Sequence, residues 1–104
     1  MSPEAAFAAV QTAFGAEPGI GRGRMFGSNG LKVDGRIFAM LVKDRLVVKL
    51  PAARVDALIA NGQAVRFDPG HGRLMREWAS VGEPSETAWL ALAREARAFV
   101  QGAT

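Results

Sequence analysis

Residues 25–50, MFGSNGLKVDGRIFAMLVKDRLVVKL, read as three β-strands joined by two tight turns. Asp34-Gly35 is the strongest signal. A two-residue hairpin turn holds both central residues at positive φ, where Asp-Gly is favoured. It joins a strand ending at Val33 to one beginning at Arg36. Lys43-Asp44 marks the second turn with weaker chemistry. Across Arg36–Val42, strict alternation puts Ile37, Ala39 and Leu41 on one face and Phe38, Met40 and Val42 on the other. In Arg45–Leu50, Leu46, Val48 and Leu50 oppose Arg45, Val47 and Lys49. The central strand is therefore apolar on both sides. One side is expected to meet helices, and the other a loop, a second subunit or a ligand.

Upstream, Ser2-Pro3-Glu4 reads as a helix start: a capping hydroxyl, a proline suited to the first helical position and an acid at the positive end of the dipole. Phe7, Val10 and Phe14 then recur on one helical face, and Gly15 reads as the stop. Residues 15–24, GAEPGIGRGR, contain G-x-G-x-G at Gly19, Gly21 and Gly23. A nucleotide-binding fingerprint needs a strand before such glycines and a helix after them. Here the order is reversed, so the segment is expected to be a connecting loop, with Arg22 and Arg24 for solubility or anion contact.

Downstream, Pro51 opens a helix striped by Val55, Leu58 and Ile59, and Asn61-Gly62 closes it. Gln63–Phe67 reads as a short strand, and residues 68–72, DPGHG, as a turn. Leu74–Val81 reads as another strand, with Leu74, Arg76 and Trp78 on one face and Met75, Glu77, Ala79 and Val81 on the other. A last helix is expected over Ser85–Val100, with Trp89, Leu92, Ala93, Ala96, Phe99 and Val100 at core spacing. The predicted order is α-β-β-β-α-β-β-α. Short turns make neighbouring strands antiparallel. The fold class is α+β, a two-layer domain with helices on one face of an antiparallel sheet, and residues 1–104 form a single domain.

Composition bounds the chemistry. Hydrophobic residues make up 49% and charged residues 22%, a globular balance. Cysteine is absent, which removes disulfides, thiolate nucleophiles and cysteine zinc sites, and fits a cytoplasmic setting. Thirteen basic residues face 10 acidic ones, for a net charge of +3, and the basic residues are scattered. A scattered excess reads as solvated surface rather than a nucleic-acid footprint. No basic n-region precedes an apolar core at the N-terminus, and no apolar run reaches the ~18 residues of a membrane span, so no membrane association is expected.

The single histidine, His71, lies between two glycines, poorly placed for the second group that fixes a catalytic tautomer. One His without Cys supports no metal site. Asp68, Arg73, Arg76 and Glu77 cluster around the last hairpin. Their structural reading is a cross-turn pair between Asp68 and Arg73. Their functional reading is an anion pocket beside Trp78, which Lys49 is positioned to join. Trp78 and Trp89 read as core anchors before base-stacking platforms. Ser28, Ser80 and Ser85 lack a visible base.

Met25-Phe26-Gly27, Gly30-Leu31, Phe38-Ala39, Leu46 and Lys49 occur in an order that resembles the opening of the TfoX/Sxy N-terminal domain. The later stretch Gly72-Arg73-Leu74-Met75-Arg76-Glu77-Trp78 resembles the Gly-Arg-x-Met-x-x-Trp segment of small stand-alone members. Trp89 and Ala98-Phe99-Val100 fit the closing helix. The resemblance covers nearly the whole chain and implies the same α+β order. It also implies a regulatory role, since members named for competence regulate DNA-uptake genes with another transcription factor through a form that adds a C-terminal helical domain. It implies no catalytic residues and no cofactor.

The expected function is thus a non-catalytic, cytoplasmic interaction or regulatory module without cofactor or metal. It is expected to self-associate as a homodimer through Phe38, Met40, Val42 and Val47, with another regulatory protein as a further partner. Two alternatives stand beside it. One is a small-molecule or anion site drawn from Arg24, Lys49, His71, Arg73, Arg76, Glu77 and Trp78. The other is direct nucleic-acid binding through Arg22, Arg24, Lys49, Arg73 and Arg76, which would weaken steeply with salt.

Overall fold

The computed structural model describes residues 1–15, 17–25, 28–70 and 75–102. The meander is present and is longer than predicted. After helix α1 (Pro3–Phe14) come four strands in succession: β1 (Ile20–Met25), β2 (Ser28–Val33), β3 (Arg36–Val42) and β4 (Arg45–Lys49). Helix α2 (Ala52–Ala60), strands β5 (Val65–Phe67) and β6 (Met75–Val81), and helix α3 (Glu86–Gly102) follow. All pairings are antiparallel, in the spatial order β1-β2-β3-β4-β6-β5. The α+β class holds, with one strand more than predicted. The extra strand is β1, IGRGRM, whose alternate glycines leave no apolar rhythm to read. Its register is nevertheless regular: Gly21 sits opposite Lys32, Arg22 opposite Leu31 and Gly23 opposite Gly30.

Local chemistry explains the punctuation. Ser2 Oγ accepts a hydrogen bond from the Ala5 amide at 3.1 Å, which caps α1. Ser85 Oγ does the same for Ala88 at 3.2 Å at the start of α3. Asp34 and Gly35 have φ of 51° and 83°, the geometry a two-residue hairpin turn requires. Lys43 and Asp44 adopt the same geometry at 50° and 64°, without a glycine to relieve it.

The main core lies between the sheet and the helices. Phe7, Val10 and Phe14 of α1, Val55 and Leu58 of α2, and Trp89, Leu92, Ala96 and Val100 of α3 pack with Leu31, Val33, Leu46, Val48, Ala79 and Val81. All three helices thus cover the same face. Within β3 the alternation slips. Lys32 pairs with Ile37 and Leu31 with Ala39, so Phe38 is an extra residue, a β-bulge. Phe38 and Ala39 consequently both belong to the helix-side core, and Ile37 joins the opposite face.

This corrects the predicted self-association face. Phe38 is fully buried against the helices, not displayed beside Met40 and Val42. Met40 and Val47 are on the other face but are also fully buried. With Phe67 and Trp78 they form a second small core, and Ile37, Val42 and Met75 pack at its margin. Of the four residues, Val42 alone keeps partial exposure. Strict alternation places Met75 on the face opposite Trp78. It packs with Trp78 instead, because the pairing of β5 with β6 jumps from Arg66–Ala79 to Phe67–Met75 and leaves residues 76–78 without partners on β5.

Candidate functional site

Antiparallel order brings the start of β3, the end of β4 and the irregular part of β6 to one end of the sheet. Lys49 is the direct cross-strand partner of Trp78. The Leu50 amide donates to the Glu77 carbonyl at 2.9 Å, which extends this pairing past the strand end. The last turns of α3 reach the same end. Between them lies a cleft of about 510 Å³. Its apolar surface comes from Ile37, Trp78, Phe99 and Val100, and its polar groups are Arg36, Lys49 and Glu77. That volume falls within the range of small-molecule sites.

Each side chain has a physical reason to be there. Ile37 reaches the cleft because the bulge at Phe38 turns it away from the helices. Trp78 is 5% exposed and anchors the second core. Lys49 Nζ lies 5.9 Å from the centroid of the Trp78 ring, so the cation rests over the aromatic face. Arg36 follows the Asp34-Gly35 turn and stands exposed at the mouth.

Several arginines outside the cleft are held by ion pairs or hydrogen bonds. Arg54 pairs with Glu95, Arg66 with Asp56, and both Arg94 and Arg97 with Glu17. The hydrogen bonds that Arg54 donates to Glu95 hold its pKa above the ordinary value. Arg45 donates to Ser80 twice, to its Oγ at 2.7 Å and its carbonyl at 3.0 Å. Among the described residues, Arg36, Lys49 and Glu77 enter no ion pair. No group of three or more His, Cys, Asp or Glu among the described residues is placed to hold a metal ion. No helix among them is long and apolar enough to cross a membrane.

Of the residues nominated from sequence, Lys49, Glu77 and Trp78 are brought together. Arg24 is not: it sits on the edge strand β1, two residues along from the position opposite Leu31, on the helix-packed face. Arg76 is exposed on β6 and lines no described part of the cleft. His71 and Arg73 lie outside the described residues, so the predicted Asp68–Arg73 pair does too. Asp68 Oδ1 accepts from the Gly70 amide at 2.8 Å, a local turn contact. The basic residues nominated for nucleic acid do not share a face, since Arg22 and Arg24 take the helix side of β1 and Lys49 the other. Arg36, Ile37, Phe99 and Val100 were missed. Arg36 had a positional signal, as the first residue after a strong turn. Ile37 had none, because its alternation pointed to the wrong face.

A two-layer α+β domain with a charged, partly apolar cleft at one end of its sheet is thus the class of protein defined here. The chain belongs to the TfoX N-terminal domain family, whose model matches residues 13–99. The match runs from the end of α1 into α3 and includes all the cleft residues except Val100. No curated protein matches the chain.

Proposed function

We propose that this TfoX-like domain is a non-catalytic, cytoplasmic regulatory module that responds to a small ligand held in the cleft. The observation that carries the reading is the combination at the sheet end: about 510 Å³ of space, an aromatic and aliphatic surface, and three charged groups without internal ion pairs. Such charges beside an apolar surface are left to solvent or to a ligand. The lining offers charge and apolar area rather than a nucleophile beside a base. The regulatory part rests on the family, whose members named for competence act on gene expression. The cytoplasmic part rests on the cysteine-free sequence.

A thermal-shift screen of small organic ions and neutral compounds tests the reading, with hits mapped by amide chemical shifts. A stabilising compound should perturb Ile37, Lys49, Trp78 and Phe99. Hits that map elsewhere, or a screen without any hit, would refute it.

A further inference from the structure

We propose that the ligand class of the cleft is an apolar monocarboxylate: a single carboxylate held between Arg36 and Lys49, with an aryl or alkyl body on Trp78 and Ile37. This deepens the proposed ligand-binding function and rests on it.

Charge balance carries the argument. The cleft presents two cations and one carboxylate, an excess of one positive charge. Neither cation has an ion-pair partner among the described residues. Glu77 is exposed and forms no ion pair with either cation. One anionic group on the ligand restores neutrality; a dianion overshoots, and a cation adds to the excess. The two cations also differ in kind. The Arg36 guanidinium presents a planar fork that suits both oxygens of a carboxylate. The Lys49 ammonium is a point charge held over the Trp78 ring at 5.9 Å. That contact keeps it at the boundary between the apolar surface and the rim, where the head of an amphipathic ligand would lie. The body of the ligand is specified by the rest of the lining. Phe99 and Val100 of α3, on the helix side, and Trp78 and Ile37, on the other face, line the same cleft at the sheet end, and the α3 pair adds apolar area without further side-chain hydrogen-bonding groups. A sugar or a polyphosphate would leave its polar groups unpaired against these walls.

Three matched probes separate this inference from the broader reading: 4-phenylbutyrate, its primary amide and 4-phenylbutylamine, titrated by calorimetry into the full chain at low salt. The carboxylate should bind at least about tenfold more tightly than the amide, and the amine should not bind. Arg36→Gln, at an exposed position, and Lys49→Gln, at a half-buried one, should each weaken carboxylate binding by about threefold to tenfold, with melting curves checking that each variant is folded. Added salt should weaken it further. Equal binding of amide and carboxylate, with the cleft residues perturbed, would overturn the carboxylate and leave the ligand site standing. Preferred binding of the amine would overturn it in favour of Glu77 as the anchor. Carboxylate binding that both variants leave unchanged would overturn the placement of the head. Failure of all three probes would overturn the inference, and failure of the wider screen as well would overturn the ligand-binding function with it.

Discussion

Phe14 of α1 and Phe38 of β3 meet edge to face, with ring centroids 5.3 Å apart and planes at 70°. The contact exists because the bulge turns Phe38 toward the helices. Both rings are completely buried. Truncation of Phe38 to Ala should therefore destabilise the fold by about 3–5 kcal/mol, the usual cost of emptying a buried aromatic site. Urea unfolding monitored by circular dichroism measures it. A variant that keeps its stability and changes only its state of association would restore the surface role that strict alternation implied.

Gly30, opposite Met40, lies one residue from the same irregularity. A Cβ there would stand 3.0 Å from the Ala39 carbonyl oxygen and 3.3 Å from both Met40 Cβ and Ile37 Cδ1. Backbone and packed side chains give way poorly, so Gly30→Ala should cost about 1–3 kcal/mol although alanine favours a strand no less than glycine. It should also disturb Ile37 and the cleft it lines. Gly21, where nothing lies within 4 Å of an added Cβ, supplies the control: Gly21→Ala should be close to neutral by the same unfolding measurement.

The fold was legible wherever one residue type had one plausible place. Ser2, Asp34-Gly35 and Asn61-Gly62 marked element ends through local chemistry, and the helix stripes of Phe7, Val10 and Phe14 needed only periodicity. The bulge was not legible. Arg36–Val42 is apolar at six consecutive positions, so a one-residue slip leaves no trace in the pattern, yet it exchanges Ile37 and Phe38 between faces. The same limit applied to β1, where glycine removes the side chains that would report a face. The site was half legible for a related reason. Lys49, Glu77 and Trp78 carry chemistry in their residue types, whereas Ile37 and Phe99 line the cleft only through where the sheet and α3 end.

The second hairpin turn holds a stability gain in reserve. Lys43 and Asp44 sit at φ of 50° and 64° without glycine. The left-handed region costs an ordinary L-residue roughly 1–2 kcal/mol, partly offset by the greater freedom glycine has when unfolded. Asp44→Gly should therefore stabilise the domain by up to about 1 kcal/mol, read as a higher melting temperature with unchanged ligand response. A lower melting temperature would mean that the Asp44 side chain holds the turn.

Glu17 ties the segment after α1 to α3, because its two oxygens receive Arg97 and, at 3.4 Å, Arg94. Arg94 also lies over the Phe14 ring, 5.2 Å from its centroid. The Glu17 and Arg97 side chains are 28% and 22% exposed, and Arg97 Nε is buried without a hydrogen-bond partner among the described residues. The Arg54–Glu95 pair is bidentate, at 2.9 and 3.2 Å, but both side chains are about two-fifths exposed, at 40% and 42%. Water and salt screen the second pair more than the first. Glu17→Gln should thus cost about 1–2 kcal/mol, as it leaves two guanidinium groups beside the core with one neutral acceptor, and Glu95→Gln about 0.5 kcal/mol or less. The raised pKa of Arg54 gives no pH signature to distinguish them. A cation whose folded pKa is raised contributes stability throughout the range below its unfolded value and loses it only above, beyond the ordinary arginine pKa. The discriminating measurement is the unfolding free energy of both variants at low and high salt. The Glu17 effect should exceed the Glu95 effect in both, and the reverse order would show that the bidentate geometry of Arg54 and Glu95 outweighs burial.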